Sequence, residues 1–523
     1  MRAINVFITL VLSLVLALLI FEGGLRLIGF APPKTINEFD PALGWSKKKD
    51  ACIQRKTPEF KVAIHTNAEG LRDDPELRPA KPAGVFRVMM LGDSFVLGYT
   101  VDRQDLFVDE LEGWWKSEER RIEVVNGGTE GYSTDQQALW FRERGAAYQP
   151  DIVVLFPYLN DIYWNGQSRY TRYPKPRFAS DGTLESGALA DPGKLPLAQR
   201  LALGKFLAFV KTPDHPGGPG SFQPPGARFP IQREFAPLLV DRPDWLDDAY
   251  ARTRGALLAL KEDCAKAGAR LFVCPLPPET AIHPDERASF AEKYFGELPD
   301  AAWDPMRPVN DFLALSAELG LETMDPRQAF QTRADAGERL YFADEWHFNP
   351  AGNEALATFL HKEFDNRGLL PPEHKALRAG GIPAHAPQGG FPTWIAVYGV
   401  LWLVLTLLYA SFYRDEPLWQ PPLKVAGLLA LVFTIVIGGG KLLALLPPQY
   451  AKIALIAFVV GILGFVAYKL GRRLGTIAEL LKAFTLRGHW YLMPLVVILL
   501  TVGSLLVVAA SSPLIAPFIY TLF

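Results

Sequence analysis

A serine, a histidine and a carboxylate stand in contexts suited to acyl transfer. Ser94 lies in Val88-Met89-Met90-Leu91-Gly92-Asp93-Ser94-Phe95, an apolar run that reads as a buried strand entering Gly-Asp-Ser and then a helix-compatible stretch. A serine at such a turn sits at the carboxyl edge of a sheet. Its hydroxyl is a weak nucleophile until a base removes the proton, so the fold must bring a histidine to it. Of the eight histidines, His347 has the most suitable setting, Asp344-Glu345-Trp346-His347-Phe348-Asn349-Pro350. Asn349 and Pro350 read as the cap and first turn of a final helix. Asp344, three residues before the base, can reach its second ring nitrogen from a tight loop and so set tautomer and orientation.

Acyl transfer also needs hydrogen-bond donors for the oxyanion, each worth about 10²–10³ in rate. Two blocks offer them. Asn126-Gly127-Gly128-Thr129-Glu130-Gly131-Tyr132-Ser133-Thr134 follows a second predicted strand, and a glycine there lets a backbone N–H face a cleft. Leu155-Phe156-Pro157-Tyr158-Leu159-Asn160-Asp161 closes a third, where an asparagine amide offers another N–H.

The elements that must position these groups alternate between short β-rich apolar runs and stretches of helical spacing from about Glu38 to Leu370, the signature of an α/β fold with a mainly parallel sheet. Strands are predicted at Phe86–Leu91, Ile122–Asn126, Ile152–Pro157, Arg270–Pro275 and Glu322–Met324. Helices are predicted near Asp105–Ser117, Thr134–Tyr148, Asp247–Ala267, Val309–Leu319 and Ala351–Phe364. Residues 170–233 are dense in proline and glycine and read as an insertion after the third strand, either shaping a cleft or forming a surface loop. Nucleophile and both donors thus fall at the ends of successive strands.

In this order the blocks closely resemble the SGNH (GDSL-like) hydrolase superfamily over roughly Arg87 to Phe364. The resemblance implies a flavodoxin-like three-layer domain with Ser94 as nucleophile. It implies an oxyanion hole of the Ser94 N–H, the Gly131 N–H and the Asn160 side chain, with Asp344 and His347 completing a triad. The third block departs from the family's Gly-x-Asn-Asp, Tyr158 standing where glycine is usual. The segment His65-Thr66-Asn67-Ala68-Glu69-Gly70-Leu71-Arg72-Asp73 is similar to one found upstream of the nucleophile in anchored bacterial members, and reads as a turn packed against the domain in preference to a substrate contact. The stretch from Trp490-Tyr491-Leu492-Met493-Pro494 to Phe523 resembles a small bacterial membrane-protein family of undefined function, members of which accompany carbamoyltransferase genes.

Apolar runs frame this domain. Val6 to Phe21 with Gly23 to Phe30 gives roughly 20–25 residues, enough to cross a hydrocarbon core of about 30 Å, and no clean small-x-small cleavage site follows. Further runs near Trp394–Phe412, Val425–Leu446, Ile453–Leu470 and Tyr491–Ala510 read as about four more spans. Basic residues at Arg414 and Lys424, and at Lys469, Arg472, Arg473, Lys482 and Arg487, place those connections in the cytoplasm and the domain outside. The expected organisation is an anchor over 1–30, an extracytoplasmic domain over 35–370, a linker over 371–392 and a membrane region over 393–523. The expected location is a bacterial inner membrane, multi-pass, with a periplasmic catalytic domain.

The 54 basic and 56 acidic side chains nearly balance, which gives no electrostatic reason to expect nucleic acid. Three cysteines, Cys52, Cys264 and Cys274, permit one disulfide, with Cys264 and Cys274 a candidate pair. Neither metal-ligand spacing nor this chemistry calls for a cofactor. Around Asn160 the aromatics Tyr158, Tyr163, Trp164, Tyr170 and Tyr173 either stack on sugar rings or pack their own loop; Tyr158 and Trp164 are the candidate substrate contacts. The expected reaction is removal of an acyl group, acetyl foremost, from an envelope or exported glycan or a lipid-linked small molecule. Its rivals are O-acyl transfer to a sugar hydroxyl, with a membrane protein as partner in a modification complex, and a non-catalytic module of a membrane complex. Residues of the right type at every matching position argue against the last.

Overall fold

In the computed structural model, the described residues are 35–371 apart from 58, 119, 186, 195, 197–199, 205–219, 296–297 and 344, together with Glu22 and a few positions between 402 and 426. Lys34–Lys194 with Thr212–Gly381 form one compact unit, and Met1–Pro33, Leu195–Lys211 and Ile382–Phe523 a second. In the second unit the Glu22 carboxylate accepts from the N–H groups of Ala202 and Leu203, each at 2.9 Å. No helix among the described residues is long and apolar enough to cross a membrane; the five expected spans lie almost wholly outside those residues.

The larger unit opens with two antiparallel hairpins, β1 (Asn37–Asp40) with β2 (Gly44–Lys47) and β3 (Cys52–Lys56) with β4 (Lys61–His65). The central sheet is built from β5 (Phe86–Gly92), β6 (Ile122–Asn126), β7 (Ile152–Phe156), β8 (Arg270–Val273) and β9 (Glu322–Thr323), in the order β9-β8-β7-β5-β6 and parallel throughout. Every residue of β7 is buried, as is β5 beyond Phe86, which is why these strands read as continuous apolar runs and not as an alternation. The five strands fall where the sequence places them.

Helices follow the strands: α1 (Ser94–Leu97), α2 (Phe107–Ser117), α3 (Thr134–Glu143), α4 (Asp161–Asn165), α5 (Asp247–Ala267), α6 (Arg307–Glu318) and α7 (Pro350–Asn366). Chain direction fixes their faces. The step from β5 to β6 runs one way along the sheet and those from β6 to β7 to β8 run the other, so right-handed crossovers put α2 on one face and α3 and α5 on the opposite one. In agreement, α7 packs on α2 and α5 on α3. β5 and β7 are therefore neighbours whose connections leave to opposite faces, and the crevice at their carboxyl ends is the position where open α/β sheets bind ligands.

Both ends of the 170–233 insertion are packed. Phe178 and Ile231 are fully buried, and Lys175 forms a buried ion pair with Asp135. Cys264 and Cys274 are separate buried thiols; the candidate disulfide is not formed.

Candidate active site

β5 delivers the chain into the crevice and Asp93 turns it. The Asp93 carboxylate accepts from the Phe95 N–H at 2.8 Å and so caps α1, leaving Ser94 as its first residue, half-buried at the sheet edge. His347 arrives from the loop before α7. There Tyr341 pairs with Phe348, the Phe342 N–H donates to the His347 carbonyl at 3.0 Å, and Asn349 caps α7 by accepting from the Gly352 N–H at 3.0 Å. Trp346 holds a left-handed φ of 52°, a conformation uncommon for a bulky residue and typical of strained positions at functional sites.

These two supports bring Ser94 Oγ to 2.8 Å from His347 Nε2. On the far side of the ring, His347 Nδ1 lies 2.6 Å from the Glu345 carbonyl oxygen. A carbonyl can only accept, so Nδ1 carries the proton and the Nε2 lone pair faces the serine hydroxyl, which donates to it. The ring is flanked by Phe95, with centroids 4.7 Å apart, and Tyr99, at 5.4 Å. Burial lowers the His347 pKa to about 4, with the Glu345 carbonyl opposing and the Arg55 charge adding to the shift. The imidazole is therefore neutral at neutral pH. Asp344 lies outside the described residues; the neighbouring Glu345 carboxylate is 3.9 Å from Nδ1.

Gly131 sits in the turn after β6 with φ +74°, and a Cβ there would come within 2.8 Å of the Tyr170 ring. Three residues earlier, a Cβ on Gly128 would collide with the backbone of Val96 and Leu97, so only glycine allows the turn to pack on α1. The turn is further tied down by the Thr129 N–H donating to the Gly92 carbonyl at 3.1 Å and the Trp45 indole N–H donating to the Glu130 carbonyl at 3.0 Å. Asn160 precedes α4 at the end of the β7 loop. Its Oδ1 is buried and has no hydrogen-bond partner among the described residues. Rotation by 180° about χ2 exchanges that oxygen with the amide donors, so the group is not committed to the protein's own framework.

Behind the site, Asp93 and Asp161 are fully buried. Burial raises Asp93 to about 7 and Asp161 well above the usual carboxylate range, the Asp93 charge adding to the latter shift.

Tyr158 is 6 % exposed and packs against Phe95 with centroids 4.6 Å apart. With Leu159, Glu279, Phe290 and Trp346 it lines a cavity of about 10 Å³. Trp164 donates its indole N–H to Glu234 at 3.0 Å and meets the edge of Tyr170 at 4.7 Å; Tyr170 in turn stacks on Trp45 at 5.2 Å and 27°. Sequence reasoning missed the rings that hold His347 and the β1–β2 hairpin that supplies Trp45. Phe95 and Tyr99 carried a weak signal, falling one and five residues after the serine. The hairpin carried none, its strands being mixed in polarity.

Residues 474–523 match a family described as a family of unknown function (DUF5989). No curated protein matches. Among solved structures the chain is similar to TesA, with 12 % identity, TM-score 0.30, and coverage of 54 % of this chain and 98 % of that one. It is similar also to the acetyl xylan esterase AlAXEase, with 15 % identity, TM-score 0.30, and coverage of 53 % and 99 %. A third is the lipase/acylhydrolase from Enterococcus faecalis, with 14 % identity, TM-score 0.29, and coverage of 56 % and 100 %. The functional reading rests on side-chain geometry and not on these likenesses.

Proposed function

We propose that this protein is a serine ester hydrolase of the SGNH type that removes acyl groups, acetyl foremost, from an envelope or exported glycan. The observation that carries the reading is the Ser94 Oγ to His347 Nε2 contact of 2.8 Å with the ring's other nitrogen already bonded to a carbonyl. That pairing leaves Nε2 with only one task, to take the serine proton.

In the proposed cycle the Ser94 oxygen attacks the ester carbonyl carbon while its proton passes to Nε2. The carbonyl π pair moves to oxygen, where the Ser94 N–H, the Gly131 N–H and the Asn160 amide donate to it. Collapse breaks the bond to the sugar oxygen, which leaves with the proton from the imidazolium, and the acyl group stays on Ser94. Water, deprotonated by Nε2, repeats the sequence and frees the carboxylate. If a second sugar hydroxyl replaces water in this half, the same residues perform O-acyl transfer.

The partly exposed rings of Tyr170 and Trp164 beside the Gly131 turn support a carbohydrate substrate, since aromatic faces bind the apolar faces of sugar rings. The apolar runs at both ends of the chain support a membrane-anchored protein with an extracytoplasmic catalytic domain. The test is incubation of the full-length protein with O-acetylated oligosaccharides, following released acetate and acetylated acceptor together. Ser94-dependent acetate release supports hydrolysis, Ser94-dependent acceptor acetylation supports transfer, and neither product on any acylated glycan or on 4-nitrophenyl acetate contradicts the enzyme reading.

A further inference from the structure

The segment from His65 to Asp73 contributes neither Ser94 nor His347, yet its last two residues reach the stretch that follows β5 and the end of β6. Arg72 is fully buried. Its guanidinium donates to the carbonyls of Leu97 at 2.9 Å, Gly98, and Val101 at 2.8 Å, the stretch that ends α1 and follows the nucleophile. Asp73, its neighbour, accepts from the Asn126 N–H at 2.8 Å at the end of β6. Asn126 completes the link: its side chain donates to the Val96 carbonyl at 2.8 Å and accepts from the Gly128 N–H at 3.0 Å. Two consecutive residues therefore grip the segment that begins with Ser94 and the turn that carries Gly131.

The grip is itself held. The Asn67 side chain accepts from the N–H groups of Glu69 and Leu71, each at 3.0 Å, and donates to the Asp74 carbonyl at 2.9 Å, which closes the loop into one shape. From the other side Lys47 of β2 donates to the Gly128 carbonyl and to Thr129 Oγ1 at 2.8 Å. A turn that merely covered the core would bury apolar side chains. This one buries Leu71 in the core and also turns a buried guanidinium and a buried carboxyl toward backbone groups of the two blocks. Such cost is repaid only where geometry matters, because a displacement of about 1 Å at a reacting centre can lower rates by about 10²-fold.

We propose that Arg72 and Asp73 are positioning residues that set the distance between the Ser94 N–H and the Gly131 N–H, and so the shape of the oxyanion hole. The proposal rests on the hydrolase reading. It assigns the pair no contact with substrate, so its loss falls on the transition state and spares ground-state binding.

The test uses the full-length protein with Asp73→Asn, Asp73→Ala and Arg72→Lys, measuring kcat and KM separately on 4-nitrophenyl acetate beside wild type and Ser94→Ala, with thermal melting on each. The expected result is a fall in kcat of at least about tenfold with KM within about twofold. The rate of inactivation by a fluorophosphonate falls in parallel, and Arg72→Lys, which keeps a donor, retains more kcat than Asp73→Ala. If Asp73→Ala does not fold, Asp73→Asn, of the same shape, decides. Folded variants with wild-type kcat and only a lower melting midpoint overturn the positioning role. A wild type without Ser94-dependent turnover overturns the hydrolase reading itself, and the clamp falls with it.

Discussion

Ser94 and His347, 253 positions apart in sequence, meet with the serine hydroxyl donating over 2.8 Å to an imidazole whose outer nitrogen is bonded to the Glu345 carbonyl. The contact joins the end of β5 to the loop before α7, and the geometry is that of a nucleophile with its general base.

The largely enclosed His347 ring sets a pH dependence. Catalysis needs a neutral Nε2, and burial lowers the His347 pKa to about 4 from an ordinary 6.5. The kcat/KM profile on 4-nitrophenyl acetate is expected to be level through neutral pH and to fall only as pH approaches 4. The unfolded chain takes up this proton first, so the contribution of His347 to stability is complete above pH 6.5 and is lost as pH falls through 4. A rising limb centred at or above 6.5 would show that the ring is not held as described.

Asn160 separates binding from catalysis. Replacement by alanine removes one of the proposed oxyanion donors and is expected to lower kcat by about 10²–10³-fold with little change in KM. Steady-state kinetics on an activated acetate ester check this, and a loss confined to KM contradicts it.

Gly131→Ala combines two strains, the left-handed φ of +74° and the approach of a Cβ to the Tyr170 ring at 2.8 Å. The conformational part alone costs about 1–2 kcal/mol. Denaturant unfolding should show at least that loss, and adding Tyr170→Ala should recover the steric part only. Full recovery in the double variant would mean that the backbone conformation is not required.

The single Nδ1 proton of His347 is already used by a carbonyl, so a carboxylate is not needed to choose the tautomer. Asp344→Asn is expected to retain kcat within about tenfold, measured on the same ester. A loss near 10⁴-fold, the size seen when a triad carboxylate that sets the tautomer is removed, would instead make Asp344 the orienting group.

Much of the fold was legible because the strands that hold the site are buried on both faces. Val88 to Leu91 and Ile152 to Phe156 are continuous apolar runs, and Asp247–Ala267 closes in a glycine at its left-handed C-cap. The Asn349 cap and Pro350 start of the last helix were readable for the same local reasons. The nine-residue segment ending at Asp73 was legible as a packed turn, but what it packs against was not, since its partners are main-chain atoms. A backbone carbonyl at His347 Nδ1 leaves no mark in residue identity either. The hairpin carrying Trp45 and Lys47 escaped because its strands Asn37–Asp40 and Gly44–Lys47 are short and mixed in polarity, their register set by tertiary contacts.

The most direct test is covalent labelling of the purified full-length protein with a fluorophosphonate, wild type beside Ser94→Ala and His347→Ala. An activated serine gives a labelled wild type and unlabelled variants, with the adduct on the peptide containing Ser94. A folded wild type that stays unlabelled, or a label that persists in Ser94→Ala, contradicts Ser94 as the nucleophile.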